Sequence, residues 1–145
     1  MDASPALYPP RVLVVDDETQ VRNLFGRFLR HSGMVVALAP DGVLGLALAR
    51  THVPDAIVSD LDMPRMDGVA FCRALRGDPL TRAIPIVIVS GDGDERLRAA
   101  LDAGCDAILH KPCSGRVLIA CVEHLLGRAP RFADGGSVPG RAIER

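Results

Sequence analysis

Five short apolar runs, separated by segments with helical spacing, restrict the possible folds of this chain more than any other feature. The runs cover residues 11–15, 34–38, 56–59, 84–89 and 107–109. Each is almost continuously apolar, which is typical of strands in a parallel sheet that is buried on both faces. The alternation of strand and helix therefore predicts an α/β fold with an open, doubly wound parallel sheet, right-handed crossovers and five helices.

The segments between the runs carry the helical period. The first of them places apolar side chains on one face of a helix, at positions 21, 24, 25, 28 and 29. Gly33 follows and is expected to end this helix. The other helices are predicted over residues 41–51, 69–76, 94–103 and 114–126, and Ser114 is the expected N-cap of the last one.

Length and composition narrow the class of protein. A chain of 145 residues predicts one domain, here residues 11–127, between a flexible lead-in (1–10) and a disordered tail (128–145). The net charge of -1 and the 3% aromatic content argue against direct nucleic-acid binding.

No apolar run reaches the ~18 residues of a membrane span. This predicts no membrane insertion. The four cysteines lack metal-site spacing, so we expect free thiols in a reducing cytosol.

Polar residues follow four of the five predicted strands. Asp16 and Asp17 follow the first strand, Asp60 the third and Ser90 the fourth. His110 and then Lys111, the only lysine in the chain, follow the fifth. Ligands in doubly wound folds bind at the carboxyl ends of the strands. The fold would therefore bring these side chains together on one rim of the sheet.

These residue types point to phosphate chemistry. Three carboxylates in one cleft repel one another unless a cation joins them, and hard oxygen ligands select Mg²⁺ or a similar ion. A carboxylate can also attack phosphorus and form an acyl phosphate. A lysine ammonium, a serine hydroxyl and backbone N–H groups near Gly91 are suitable donors to the oxygens of a transferring phosphoryl group.

Four motifs, in this order and at the strand ends, resemble those of the receiver (CheY-like) domain of bacterial two-component response regulators. They are VLVVDDE, SDLDMPRMDG, IPIVIVSGD and HKP, and the resemblance covers about residues 11–126. It implies the flavodoxin/CheY-like strand order 2-1-3-4-5. It also implies that Asp60 is the phosphoacceptor. Asp16, Asp17, Asp60 and the backbone carbonyl of Asp62 would hold Mg²⁺ or Mn²⁺.

The resemblance also assigns the residues around the phosphoryl group. Ser90, Gly91 and Lys111 would contact it, and a cis peptide bond would precede Pro112. The charges of Asp62 and Asp92, two positions beyond the acceptor and the serine, would tune the lifetime of the acyl phosphate.

The chain departs from the family pattern on the fifth strand. Ile108 stands where the family usually has a Tyr or Phe that reports phosphorylation. We therefore expect transmission through the fourth helix and fifth strand to be smaller or different.

The resulting prediction is a single-domain response regulator that is not an enzyme beyond its own phosphorylation and dephosphorylation. A histidine kinase or a histidine phosphotransfer protein would donate the phosphoryl group, and output would pass through protein contacts to an unidentified target. A piece of a longer regulator and a phosphorylation-independent interaction module are alternatives. A haloacid-dehalogenase-like phosphohydrolase is a further one, because residues 60–63 partly match its D-x-D motif.

Overall fold

The computed structural model describes residues 8–91 and 94–127, and its five parallel strands form one sheet in the order β2-β1-β3-β4-β5. This confirms the predicted fold. The strands are β1 Arg11–Val15, β2 Val35–Ala39, β3 Ala56–Asp60, β4 Ile86–Ser90 and β5 Ala107–His110. The helices are α1 Thr19–His31, α2 Gly42–His52, α3 Gly68–Arg76, α4 Asp94–Asp102 and α5 Gly115–Leu125. The tail predicted at 128–145, Asp92 and most of the predicted lead-in lie outside the described residues.

Alternation along the strands divides the core into two layers. Leu13 and Ile88 belong to the cluster beneath α2, α3 and α4, whereas their neighbours Val14 and Val89 belong to the cluster beneath α1 and α5. Because both faces of the sheet are covered, the strands meet solvent chiefly at their ends. Within the described part of the chain, no helix has the length and apolar character needed to span a membrane.

The sequence signals at helix ends are confirmed by backbone geometry. After α1, Gly33 adopts a φ of 95°, which glycine tolerates best. Its N–H donates to the carbonyl of Arg30, and that of Met34 donates to the carbonyl of Leu29, as in a Schellman motif. Ser114 caps α5 by accepting a hydrogen bond from the N–H of Val117.

Four of the five predicted strands differ from the observed ones by one or two residues at one or both ends. β4 begins at Ile86 rather than Ile84, since Pro85 lacks an N–H for the sheet ladder. The prediction that every strand is buried on both faces is wrong for β2, where Val35 and Ala37 are exposed. β2 lies at the edge of the sheet, so that only its inner side packs fully against a neighbour.

The loop between β3 and α3 is folded tightly behind Asp60. The N–H of Gly68 donates to the carbonyl of Leu61 at 2.8 Å, and Asp67 caps α3 through the N–H of Ala70 at 2.9 Å. A Cβ atom on Gly68 would lie 2.6 Å from the carbonyl oxygen of Asp60 and 2.8 Å from the Cα of Leu61. Both neighbours are backbone atoms, so the loop has no room for a side chain here.

We expect Gly68→Ala to destabilise the fold by about 1–3 kcal/mol, because backbone must shift to admit the methyl group. Urea unfolding would measure the change. Gly77→Ala is the matched control, since its added Cβ would meet nothing closer than 3.4 Å. The control should change stability by less than about 1 kcal/mol. Equal stability of the two variants would contradict this account of the loop.

Candidate functional site

Three carboxylates meet at the carboxyl edge of the sheet. Each of Asp16, Asp17 and Asp60 offers an oxygen, and these oxygens all lie within 4.8 Å of one another. Asp16 and Asp60 are buried, with exposed fractions of 1% and 8%, whereas Asp17 is exposed. The turn after β1 fixes Asp16, whose N–H donates to the carbonyl of Ala39 at 3.1 Å and whose Oδ1 accepts from the N–H of Glu18 at 2.9 Å.

One ammonium lies between the two buried carboxylates. The Nζ of Lys111 donates to Asp16 Oδ2 at 3.2 Å and to Asp60 Oδ1 at 3.1 Å. The N–H of Lys111 donates to the carbonyl of Ser90 at 3.0 Å, which extends the pairing of β5 with β4. The peptide bond between Lys111 and Pro112 is cis, as the resemblance implies. The backbone around this lysine thus directs its side chain across the strand ends to the acidic cluster.

Burial and the charges of the cluster shift the pKa values of Asp60 and Lys111. Burial first, and then the charge of Asp16, raise the pKa of Asp60 to about 6, although the hydrogen bond and charge of Lys111 act in the opposite direction. Burial alone would lower the pKa of Lys111. The hydrogen bond to Asp60 and the charge of Asp16 offset that effect, and the pKa of Lys111 is raised. The site therefore has more negative charge than its single ammonium balances.

A cavity of about 310 Å³ opens above these groups and is large enough for a phosphoryl group and a hydrated cation. Apart from Glu18, its lining residues are ones that the sequence placed at the site. They are Asp17, Glu18, Asp60, Asp62, Ser90, Gly91 and Lys111. A Cβ on Gly91 would meet nothing within 4 Å, so the backbone there is open to the cavity. Asp92 lies outside the described residues, and its predicted role stays a prediction.

The acidic cluster fits a hard divalent cation. Asp16, Asp17 and Asp60 supply only oxygen atoms, and their mutual distances allow one ion to touch all three. Burial, and then the charge of Asp16, raise the pKa of Asp60, so its ionised form is disfavoured in a way that a cation would relieve. The Asp62 side chain stands at the rim with an exposed fraction of 74%.

Two further residues lie near the carboxyl end of β5, one in the strand and one just after it. Ile108 is 1% exposed and packs in the core cluster with Leu97 and Ala100 of α4. It lies beneath the site and outside the cavity lining. Cys113 is half-buried, and burial raises the pKa of its thiol to about 11, so that the thiol is protonated at neutral pH.

The sequence did not reveal two arginines on neighbouring helices that contact residues of the site. Arg22 of α1 donates to the carbonyl of Asp16 at 2.8 Å. Arg96 of α4 lies 3.6 Å from the Asp62 carboxylate and 3.5 Å from that of Asp67. Both arginines lie on polar helix faces, where a charged residue by itself predicts only exposure to solvent. Their positions one helical turn into α1 and near the start of α4 are the only available signals.

Comparison with known proteins gives one consistent result. A family model described as the response regulator receiver domain matches residues 12–123. The response regulator MprA of Mycobacterium sp. (strain KMS) is 44% identical over 123 residues, which are 83% of this chain and 52% of that protein. The chain thus spans about half the length of the curated relatives that it matches.

Solved structures agree with the fold. The receiver domain of the Francisella response regulator 1452 is 33% identical, with a TM-score of 0.74 over 81% of this chain and 97% of its own. The receiver domain of the sensor histidine kinase PA1611 from Pseudomonas aeruginosa PAO1 is 26% identical. Its TM-score is 0.78, and the match covers 82% of this chain and 98% of that one. That structure has a magnesium ion coordinated in its active site cleft.

Burial of the Asp60 carboxylate, together with repulsion from Asp16, should be measurable as a loss of stability. The pKa of Asp60 in the folded state is raised from 3.8 to about 6, so the folded state holds its proton more tightly than the unfolded state does. This contribution favours folding below about pH 4 and is lost as the pH rises towards 6. In a chelator at pH 7.5, we expect Asp60→Asn to stabilise the fold by about 1–3 kcal/mol in urea unfolding.

Asp62→Asn is the control for that measurement, because Asp62 is exposed at the rim and should alter stability by less than about 0.5 kcal/mol. The advantage of Asp60→Asn over the natural protein should shrink as the pH falls from 6 to 4. An Asp60→Asn variant that is less stable than the natural protein at pH 7.5 would show that Lys111 fully balances the cluster.

Proposed function

We propose, since this chain belongs to the family of response regulator receiver domains, that it accepts a phosphoryl group on Asp60 from a phosphohistidine donor. The observation that carries the proposal is the position of the only lysine. Its ammonium lies about 3 Å from the oxygens of Asp16 and Asp60, at the floor of a cavity that is open to solvent. A buried carboxylate that faces such a cavity is accessible to a phosphoryl donor.

The transfer uses Asp60 as a nucleophile. An oxygen of its carboxylate attacks phosphorus, and the bond from phosphorus to the imidazole nitrogen of the donor breaks as the new P–O bond forms. Lys111 holds Asp60 in place before the attack and donates to a phosphoryl oxygen afterwards. The hydroxyl of Ser90 and the backbone at Gly91, which line the same cavity, are the other proposed contacts of that group.

We propose Mg²⁺ or Mn²⁺ as the cofactor, held by Asp16, Asp17, Asp60 and the backbone carbonyl of Asp62. Such an ion, when bound, supplies positive charge that lowers the repulsion between the carboxylates and the incoming phosphoryl group. The oxygen-only donor set supports this assignment. So does the magnesium ion in the cleft of the PA1611 receiver domain.

The partners follow from this chemistry. The donor would be a histidine kinase or a histidine phosphotransfer protein, and the phosphorylated surface would bind or release a protein target. We propose that this receiver domain works in the bacterial cytoplasm, where its four thiols stay reduced.

Phosphorylation should be specific to one residue and dependent on a divalent cation. With a small-molecule phosphodonor and Mg²⁺, we expect one phosphoryl adduct on the natural protein by intact-mass spectrometry. Asp60→Asn should show none, because its amide is not a nucleophile of this kind, and a chelator should abolish the adduct. Asp62→Asn is the matched control, since it removes a carboxylate two residues away and keeps the acceptor.

An absent adduct on every variant would make a phosphorylation-independent interaction module the better interpretation. A phosphoryl adduct on Asp60→Asn would show that another residue is the phosphoacceptor. Turnover of a generic phosphate ester would instead favour the phosphohydrolase.

The response at the α4–β5 surface should be small. Ile108 is buried in the core cluster that also contains residues of α4, and it offers no aromatic ring that could turn between the core and the surface. We expect modest changes in amide NMR spectra around α4, β5 and α5 when apo and phosphorylated protein are compared. Large shifts confined to that face would contradict the prediction. Shifts around Ser90 and Lys111 serve as the positive control, because those residues line the site.

A further inference from the structure

Arg96 connects α4 to both ends of the loop that follows the phosphoacceptor. Its Nη1 lies 3.6 Å from Asp62 Oδ1, and its Nη2 lies 3.5 Å from Asp67 Oδ2. Asp62 is the second residue after Asp60, and Asp67 is the N-cap of α3. One guanidinium, 40% exposed, therefore pairs with the first and the last acidic side chains of the same loop.

Asp62 is the member of this arrangement that reaches the site. It lines the cavity together with Asp60, Ser90 and Lys111, and its side chain is 74% exposed. Such a carboxylate is free to turn towards bound water unless another group holds it. Arg96 is the cation within ion-pair distance of Asp62 among the described residues.

We propose that Arg96 is a positioning residue that lengthens the life of the acyl phosphate by holding the Asp62 carboxylate at the rim. This inference rests on the proposed phosphorylation of Asp60. It adds a residue on a different helix to the residues that act on the phosphoryl group.

The step that Arg96 restrains is hydrolysis. A water molecule attacks phosphorus, the bond from phosphorus to the Asp60 oxygen breaks, and inorganic phosphate leaves while the Asp60 carboxylate is restored. A carboxylate that accepts a hydrogen bond from the attacking water orients it towards phosphorus, and the protons of the water leave with the inorganic phosphate. Asp62 can do this only when its oxygens are turned towards the cavity, and the pair with Arg96 competes with that orientation.

The size of the effect is limited by the exposure of the pair. Ion pairs between exposed side chains contribute little, and separations of 3.5–3.6 Å are long for such contacts. We therefore expect Arg96→Gln to accelerate loss of the phosphoryl group by about two- to fivefold. The fold and the formation of the adduct should be preserved.

The test is a double-mutant cycle on the rate of dephosphorylation. Natural protein, Arg96→Gln, Asp62→Asn and the double variant are phosphorylated with the same small-molecule donor, and decay of the adduct is followed by intact-mass spectrometry. Arg96→Gln should decay faster than the natural protein. Asp62→Asn should decay no faster than the natural protein, and the double variant should match Asp62→Asn, because Arg96 acts through Asp62.

Two further variants separate charge from structure. Arg96→Lys keeps the positive charge and should restore most of the lifetime. Arg98→Gln is the matched control, because it removes an exposed arginine two residues further along α4 and should leave the decay rate unchanged. Urea unfolding of each variant shows whether the fold itself has changed.

The outcomes are distinct from those of the phosphorylation experiment. Absence of an adduct on the natural protein refutes the proposed function itself. If the adduct decays at the same rate in the natural protein and in Arg96→Gln, only the proposed role of Arg96 is overturned. The same acceleration by Arg96→Gln in the Asp62→Asn background also overturns it, since the arginine would then act without Asp62.

Discussion

The structure of the site depends on the repulsion between two buried carboxylates and on the single ammonium that lies between them. Asp16 and Asp60 are drawn into the protein by the strands that carry them, and Lys111 hydrogen bonds to both. Despite this ammonium, burial and the charge of Asp16 raise the pKa of Asp60 to about 6. The protein thus holds the ionised Asp60 carboxylate in an unfavourable state, which the proposed divalent cation would relieve.

The parallel sheet makes this arrangement possible. Residues 16, 60 and 111 are far apart in the sequence, and each follows or ends a different strand. In the register of the sheet, Asp60 of β3 lies beside Val89 of β4, and Ser90 lies beside His110 of β5. The parallel strands therefore end side by side. The polar groups at these ends meet there, and no additional loop is needed to bring them together. The tight turn at Gly68 closes the next segment behind Asp60, so the cavity stays open above it.

Much of this could be predicted from the sequence because the strong signals are local and periodic. Continuous apolar runs located the strands, Gly33 and Ser114 marked helix ends, and polar residues after strands located the rim. The position of β2 at the edge of the sheet is a property of the whole fold, so its exposed Val35 and Ala37 could not be foreseen from an apolar run. Leu24 fits the apolar stripe of α1 yet is 39% exposed, because a stripe of five positions is wider than the surface that it covers. Arg96 carried no signal beyond its position near the start of α4, since its ion-pair partners depend on which loop lies across from that helix.

The contacts of α4 suggest how the site and the surface of the protein are joined. On its inner side, α4 contributes Leu97 and Ala100 to the core cluster that also contains Ile108, and this apolar cluster has no charged group to respond to a phosphoryl charge. On the site side, Arg96 pairs with Asp62 and Asp67, whose carboxylates do respond to charge. If Asp60 is phosphorylated as proposed, the added negative charge beside Asp62 would strengthen the attraction of this loop for a nearby cation. In a chain with isoleucine on strand five, the ion pairs at the start of α4 would then be the more direct connection between the site and the surface.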